Sequence, residues 1–268
     1  VRAFPQPRRT DDVKLSPRQA AILQAIREDG SAAVDALAAT HAVSAQTIRR
    51  DVNTLCDLGL LRRQHGGAAL PTNFRTAAFA DREVFQAAEK DRIARAVAAI
   101  IPDRASLFLG IGTTTAAVAR ALAGHDSLRV VTNNLHIADG LCRNPSFEVI
   151  LAGGRARNRE RDFIGESALA VFRDIRVEYG VFGVGGVDAD GGLRDFDFDE
   201  VRLSRLILEN SEKPVAVADH TKIRAATAVR FAELSELHAF VTDRPLPPAL
   251  RALAEAAGVR VTVAEEEV

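Results

Sequence analysis

The sequence has two cysteines, no methionine or tryptophan, and no long run of apolar residues. Cys56 and Cys142 are too few and too far apart in sequence to suggest a disulfide framework or a thiolate metal site. No apolar stretch approaches the roughly 18–20 residues needed to cross a bilayer, and the start of the chain carries proline and charge where a signal peptide needs an apolar core. We therefore expect a cytoplasmic protein that holds no metal and does not contact a membrane.

The net charge is also close to zero, with 35 Lys and Arg against 36 Asp and Glu. The chain as a whole thus lacks the cationic field that attracts nucleic acid. The charge is unevenly distributed, because residues 1–70 contain ten basic and seven acidic residues, a net of +3 that leaves −4 for the remainder. With 268 residues, 47% of them hydrophobic, the chain can form one ordinary domain and one small domain.

Residues 15–70 have the pattern of a small helical domain that ends in a hairpin. The segment SPRQAAILQAIREDG (16–30) starts with a capping serine and a proline and ends with glycine, as helices do. A second short helix and a tight turn follow over 34–43, and strand-like segments flank Gly66-Gly67. Together with a third helix these elements predict a winged helix-turn-helix, preceded at 1–14 by a flexible arm.

The third predicted helix presents polar side chains opposite its core residues. Ser44 caps it, and Ile48, Val52 and Leu55 fall on one side at spacings of four and three. The outward side chains are Gln46, Thr47, Arg49, Arg50 and Asn53. Arginine can bind guanine, glutamine can pair with adenine, and the serine with the helix N-terminus can hold a phosphate. The hairpin adds basic residues suited to the DNA backbone, which are Arg62, Arg63 and His65. The alternative is a solvated helix face with two arginines.

Residues 71–89 lack clean periodicity and contain a proline, which predicts a linker. From 90 to 268, apolar strands alternate with helical stretches, which predicts a mainly parallel sheet covered by helices. The predicted strands are 107–109, 128–131, 147–151, 179–183, 215–218, 239–242 and 259–263. The predicted helices lie near 91–100, 114–123, 135–143, 199–211 and 248–257.

The stretch LFLGIGTTTAAVARAL (107–122) runs from a strand through a glycine turn into a helix. Two glycines let the backbone bend and approach a ligand, and the following amides, hydroxyls and helix dipole favour an anion. Gly112, Thr113 and Thr114 are therefore a candidate phosphate site. Such a string on its own is more typical of a plain tight turn.

Three other strand ends carry candidate ligand-binding residues, at the edge where open α/β sheets bind ligands. These residues are Asn133 after VVT, Gly153 and Gly154 after VILA, and Asp219 and Lys222 in VAVADHTK. The lysine can oppose a phosphate, and the aspartate or asparagine can bind hydroxyls. Taken singly, Asn133 is better explained as a turn residue and Lys222 as a surface lysine.

The segment DFDFDE (195–200) places four carboxylates near this edge, where they would repel a phosphate unless they face away. We expect a helix-start cap here, with Glu200 near the hydroxyl groups of the ligand. An exposed acidic loop is an equal alternative.

The segment SAQTIRRDVNTLCDLGLLRRQHGGAALP (44–71) resembles the signature of the DeoR family of bacterial transcriptional repressors. The matching residues are Ser44, Thr47, Ile48, Arg49, Arg50, Asp51, Gly59, Leu61, Arg63, Gly66, Gly67 and Ala68. The resemblance implies operator DNA as a partner and a repressor function.

The second half resembles the effector domain of the same family, which implies the fold of ribose-5-phosphate isomerase and coenzyme A transferases. The family's effector residues fall on Gly112, Thr113 and Thr114, on Thr132 and Asn133, on Gly153 and Gly154, and on Asp219, Thr221 and Lys222. Segments such as LRVVTNNL (128–135) and DFDFDEVR (195–202) resemble family members that regulate glycerol metabolism. This implies glycerol 3-phosphate or a related sugar phosphate as effector, with no cofactor. Gly110 departs from the family, which usually has aspartate at that position.

Two function classes remain from the sequence. A sugar-phosphate isomerase would need a proton-shuttling pair, and nothing flanks Asp195 or Glu200 in that manner. A sensor uses every feature: a homo-oligomer would bind an inverted-repeat operator and leave it when a small phosphorylated metabolite binds. We therefore predict a repressor without catalytic residues.

Overall fold

The computed structural model describes residues 15–29, 31–57, 60–64, 66–69, 79–158, 160–225 and 227–264. The chain divides into two compact units, one that ends at Arg82 and one that begins at Glu83. In the described ranges, no helix has both the length and the apolar character needed to cross a membrane.

The first unit is a winged helix-turn-helix. Its elements are α1 (Pro17–Asp29), β1 (Ser31–Ala33), α2 (Val34–Thr40), α3 (Ala45–Asp57), β2 (Arg62–Gln64) and β3 (Gly67–Ala69). The three helices meet in a core whose innermost residues include Ile22, Ile26, Ile48 and Leu55. Strand β1 was not predicted; it pairs with β3, so that the wing is a three-stranded sheet in the order β1-β3-β2.

Local capping and one buried ion pair fix the helices of this unit. The Ser16 Oγ accepts from the Gln19 amide at 3.2 Å while the Gln19 Oε1 accepts from the Ser16 amide at 2.9 Å, a capping box that confirms the predicted start of α1. The buried Asp51 of α3 accepts from Arg18 Nε at 2.6 Å and from Gln19 Nε2 at 3.2 Å. Asp51 thus has a structural role that ties α3 to the start of α1.

The second unit is an α/β domain, and the helix α4 (Phe79–Val84) spans its boundary with the first. The first five elements that follow are α5 (Ala87–Ala98), β4 (Ser106–Leu109), α6 (Thr113–Ala121), β5 (Arg129–Thr132) and α7 (Leu135–Leu141). The next five are β6 (Glu148–Leu151), β7 (Arg155–Arg157), β8 (Asp162–Ile164), α8 (Glu166–Asp174) and β9 (Val177–Gly183). The remainder are β10 (Gly186–Val187), β11 (Gly192–Asp195), α9 (Phe198–Glu209), β12 (Ser211–Val217), β13 (Val229–Glu233), β14 (Ala239–Thr242), α10 (Pro248–Ala256) and β15 (Arg260–Val263).

Seven strands form one parallel sheet in the order β15-β14-β12-β9-β4-β5-β6. All seven correspond to predicted strands; the central ones are buried apolar runs, whereas the two edge strands β6 and β15 are only half-buried. From β4 the chain moves outward through β5 to β6, returns to β9 on the other side of β4, and then moves outward in the opposite direction. The strand order therefore reverses between β4 and β9, and parallel sheets bind ligands in the crevice at such a reversal.

Two smaller antiparallel pairings lie outside this sheet, and the sequence did not predict them. Strands β7 and β8 form a hairpin, and β10, β11 and β13 form a three-stranded sheet. The helices α4 and α8 were also not predicted. Of these, α4 lies inside the segment 71–89 that was expected to be a linker.

Candidate functional site

The exposed face of α3 carries the side chains that the sequence assigned to DNA. Gln46, Arg49 and Arg50 are exposed, whereas Ile48, Val52 and Leu55 are buried, as their spacing predicted. The Ser44 Oγ accepts from the Thr47 amide at 3.2 Å and lies 2.9 Å from the Thr47 Oγ1, so Ser44 caps the helix. The first turn of α3 thus presents two hydroxyls and a helix N-terminus beside the arginines.

The wing adds one described basic side chain to this surface. Arg63 in β2 is exposed and lies 3.9 Å from the exposed Asp57, a pair that is too distant and too solvated to hold it in place. Gly66 at the tip has φ +74°, a conformation that favours glycine. His65, which the sequence also assigned to the DNA backbone, lies outside the described residues.

The predicted phosphate turn is the start of α6, at the reversal of the sheet. Gly112 precedes the helix with φ +121°, which a residue with a side chain rarely adopts. Within the described chain, no side chain caps this N-terminus; the Thr115 Oγ1 instead donates to the Gly112 carbonyl at 2.8 Å. Thr113 is buried and Thr114 is half-buried. The first amides of α6 are consequently open to an anion.

Gly110 lies two residues before Gly112, and its α-carbon packs against the core. A Cβ at this position would come within 3.2 Å of the Ile207 Cδ1 and 3.3 Å of the Phe182 Cβ. A side chain there would therefore point into the packing between the sheet and α9. The family usually has aspartate at this position. Because Ile207 and Phe182 fill the space here, its replacement by glycine leaves no gap in the site.

A small cavity lies next to the glycine turn. Ile111 of the turn, Asn133 after β5 and Glu200 of α9 all line it, together with Arg157 and Asp162 from the β7–β8 hairpin. The structure thus brings two of the predicted effector residues, Asn133 and Glu200, into one cavity beside the predicted phosphate turn. Asn133 is 1% exposed, and its Nδ2 donates to the Phe163 carbonyl at 2.8 Å.

An ion network holds the hairpin to α9 at this cavity. Arg157 donates from Nε to Asp162 Oδ1 at 2.8 Å, from Nη2 to Asp162 Oδ2 at 2.6 Å, and from Nη2 to Glu200 Oε1 at 2.9 Å. Burial lowers the pKa of Arg157, but the two carboxylates outweigh this effect and raise it above its ordinary value. Burial and then the nearby charge of Asp195 raise the pKa of Glu200 to about 7.

The acidic segment before α9 is divided between structural and cavity positions. The Asp197 side chain accepts from the Asp199 amide at 2.8 Å and caps α9, which confirms the predicted helix-start cap. The Asp195 Oδ1 accepts from the Phe196 amide at 2.8 Å. Of the four carboxylates, those of Asp199 and Glu200 line the cavity.

The other predicted effector residues lie at the same carboxyl edge but outside this cavity. Gly154 follows the edge strand β6, and a Cβ there would lie 2.6 Å from the Ile164 carbonyl oxygen, so this glycine allows the close approach of β8. Its neighbour Gly153 is exposed. Asp219 and Lys222 follow β12, on the other side of the reversal.

The turn that carries Lys222 is fixed by two aspartates. Asp219 is 1% exposed and accepts from the Thr221 amide at 2.9 Å and from the Thr221 hydroxyl. Asp243, at the end of β14, accepts from the backbone amide and from Nδ1 of His220, both at 2.6 Å. The Oδ2 atom of Asp219 is buried and has no hydrogen-bond partner among the described residues.

Two features of this region were not predicted from the sequence. They are a second glycine run at the end of β9 and the hairpin arginine Arg157. A Cβ on Gly183 would lie 3.7 Å from the Ile111 carbonyl oxygen, and one on Gly185 would lie 2.7 Å from Asp195 Oδ1. Gly185 therefore allows the close approach of Asp195, whereas the contact at Gly183 is an ordinary van der Waals one. The string GVGG (183–186) after an apolar strand was a usable signal, whereas no local pattern marks Arg157.

Comparison with known proteins agrees with both halves of the architecture. A model described as "DeoR-like helix-turn-helix domain" matches residues 18–74, and one described as "DeoR C terminal sensor domain" matches residues 85–244. The chain belongs to the DeoR family. It is a DNA-binding transcriptional repressor and not an enzyme.

Two curated relatives cover most of this DeoR-family chain. The glycerol-3-phosphate regulon repressor of Escherichia coli (strain K12) is 42% identical over 235 residues, which are 88% of this chain and 93% of the relative. The HTH-type transcriptional repressor CsqR of the same strain is 39% identical over 252 residues, 94% of this chain and 97% of the relative. Among solved structures, ribose 5-phosphate isomerase A from Neisseria gonorrhoeae matches 52% of this chain and 54% of its own, with 16% identity and a TM-score of 0.36.

Proposed function

We propose that the chain represses genes of glycerol and glycerol 3-phosphate metabolism and leaves its operator when a small phosphorylated metabolite, most simply glycerol 3-phosphate, binds the second unit. The observation that carries the proposal is the open N-terminus of α6 behind Gly112, at the reversal of the sheet. Such a terminus binds anions through its free amides and its dipole. The 42% identity to the glycerol-3-phosphate regulon repressor supports the choice of ligand.

In this proposal the phosphate lies at Gly112, Thr113 and Thr114, opposite the charge of Lys222. Asn133, Glu200 and Asp219 bind the hydroxyl groups of the effector, and Gly153 and Gly154 shape the far side of the edge. No further cofactor is required. The buried and unpartnered Oδ2 of Asp219 supports a role in binding a donor group.

The DNA side uses Gln46, Thr47 and Arg50 for base contacts, and Ser44, Arg49, Arg63 and His65 for the backbone. A homo-oligomer would place two α3 helices about 34–36 Å apart on an inverted repeat. The effector can release the operator only to the extent that it binds the released arrangement more tightly, and a hundredfold loss of operator affinity corresponds to a coupling of ~2.7 kcal/mol.

A second candidate is a repressor of the same type with another sugar phosphate as effector. CsqR is nearly as similar to this chain as the glycerol-3-phosphate regulon repressor, and its name does not refer to glycerol 3-phosphate. Overall identity therefore does not separate the two candidates.

A thermal-shift screen of phosphorylated three- to six-carbon metabolites tests the ligand. A compound that binds only the native state must raise the melting temperature. We expect glycerol 3-phosphate to do so for the wild type and to lose this effect in Thr113→Ala and Lys222→Ala, which should still bind operator DNA. A shift with a different sugar phosphate and none with glycerol 3-phosphate would select the second candidate.

A further inference from the structure

The cavity beside the phosphate turn has a volume of about 10 Å³. On the same measure a single water molecule needs roughly 10–15 Å³, so the cavity has room for one oxygen atom and not for a phosphate group. A ligand whose phosphate sits at the start of α6 would reach this cavity with one of its other functional groups.

Among the described residues, the one buried side-chain atom of the cavity that lacks a hydrogen-bond partner is an acceptor. The Asn133 amide nitrogen is already engaged by the Phe163 carbonyl, which leaves Oδ1, a buried atom without a partner in the described chain. Arg157 uses its Nε and Nη2 on Asp162 and Glu200. Above pH 7 Glu200 is ionised, and a carboxylate offers about four lone-pair sites, of which Arg157 occupies one. A hydrogen-bond donor thus finds partners here, whereas an acceptor cannot pair with Asn133 Oδ1 or with the ionised Glu200.

We propose that Asn133 and Glu200 form a hydroxyl-binding subsite that makes the sensor prefer a polyol phosphate to a keto phosphate of the same length. This inference rests on the proposed function, because it requires a phosphate at the start of α6. A hydroxyl donates to Asn133 Oδ1 or to the Glu200 carboxylate and replaces a water of the same size. A carbonyl oxygen at the same place has no hydrogen to donate and leaves the buried Asn133 Oδ1 unpaired, which buried sites discriminate against strongly.

Arg157 is a positioning residue in this subsite. Its two parallel bonds to Asp162 fix the guanidinium, whose Nη2 then fixes Oε1 of Glu200. Asp162 is fully buried at its side chain, and its backbone pairs with Asn134, so the hairpin that carries Arg157 is anchored next to Asn133.

Titration calorimetry with the full chain at pH 8.5, where Glu200 is ionised, tests the subsite, with glycerol 3-phosphate and dihydroxyacetone phosphate as probes. The two differ in whether the middle carbon bears a hydroxyl or a carbonyl. We expect the wild type to bind glycerol 3-phosphate about tenfold or more tightly than the keto compound, as one charged hydrogen bond implies. Glu200→Gln introduces an amide donor of the same shape, and we expect it to reduce the ratio to within about threefold.

Glu209→Gln is the matched control, because it removes one negative charge at the other end of α9, where Glu209 pairs with the exposed Arg205. It should keep the wild-type ratio. Equal binding of both probes to the wild type, or an unchanged ratio in Glu200→Gln, would overturn the subsite and leave the proposed effector in place. Binding of neither probe would overturn the proposed effector and the subsite with it.

Discussion

Arg120 at the end of α6 donates from Nη1 to Oε1 of Glu83 at 2.7 Å. Glu83 is the residue at which the second unit begins, and its Oε1 also lies 4.0 Å from Nε2 of His136 in α7. The helix α6 begins at the phosphate turn, and α7 begins directly after Asn133 and Asn134. The end of α6 and the first turn of α7 therefore lie near the same carboxylate.

We expect Arg120→Ala to weaken induction without weakening the binding of operator DNA or of the effector. The pair is half exposed, so its loss should cost the fold less than about 1 kcal/mol. Gel shifts with and without glycerol 3-phosphate should show a normal operator complex that needs more effector to dissociate. Arg143→Ala, which breaks a more exposed pair with Asp139, should induce like the wild type. A wild-type response from Arg120→Ala would exclude Glu83 from the coupling.

Arg50→Ala should lose the ability to distinguish operator from random DNA, because an arginine that grips a base contributes about 1–3 kcal/mol of discrimination. Arg63→Ala should instead weaken binding to both DNAs alike and reduce the salt slope by roughly 0.9, as the loss of one phosphate contact predicts. Competition gel shifts at several salt concentrations separate the two effects. If Arg50→Ala retained its selectivity for the operator, Arg50 would not be a base-contacting residue.

Gly110→Asp should destabilise the second unit and should not improve effector binding. The new Cβ meets Phe182 and Ile207 at 3.3 and 3.2 Å, and overpacking of this kind costs about 1–3 kcal/mol before the burial of a carboxylate is added. Gly140→Ala is the control, since nothing lies within 4 Å of a Cβ in that helix position and alanine favours a helix. Thermal unfolding should move in opposite directions for the two variants. An unchanged melting temperature in Gly110→Asp would contradict the packing argument.

Glu200 should make the second unit less stable as the pH rises. Its pKa in the folded chain is raised to about 7 from 4.5, by burial first and then by Asp195, against the opposing effect of Arg157. The stabilising effect of its proton is complete below about 4.5 and is lost as the pH passes through about 7.

Denaturant unfolding of the wild type and Glu200→Gln at pH 5.5 and pH 8 measures this effect. Glutamine does not titrate. The free energy of unfolding of the variant should therefore rise by about 1–3 kcal/mol relative to that of the wild type between pH 5.5 and pH 8. Other carboxyl groups titrate in both proteins and cancel in the comparison. Parallel pH dependences would show that Glu200 does not carry the effect.

The sequence predicted the large elements because each is a long or clearly patterned run. The central strands of the parallel sheet are apolar on both faces, and Ile48, Val52 and Leu55 repeat with helical spacing. The hairpin β7–β8 escaped prediction because each strand has only three residues, and one of them reads Arg-Ala-Arg.

The site was predicted less completely for a physical reason. The glycine turn and Asn133 follow strands and are visible locally, but Arg157 meets Glu200 across 43 residues of sequence. Such a pair exists only after the hairpin and α9 have come together. The place of Gly110 against Phe182 and Ile207 is likewise a property of packing, which a motif comparison cannot give.

The reversal of strand order between β4 and β9 also dictates an order of assembly during synthesis. Strand β4 can pair with β5 soon after both leave the ribosome, but its other edge stays open until β9, which begins at Val177, has been made. Unpaired strand edges of this kind promote aggregation, and pairing over a long sequence separation is slow. The nascent chain thus carries its helix-turn-helix unit, fully translated, before the second unit can complete its parallel sheet.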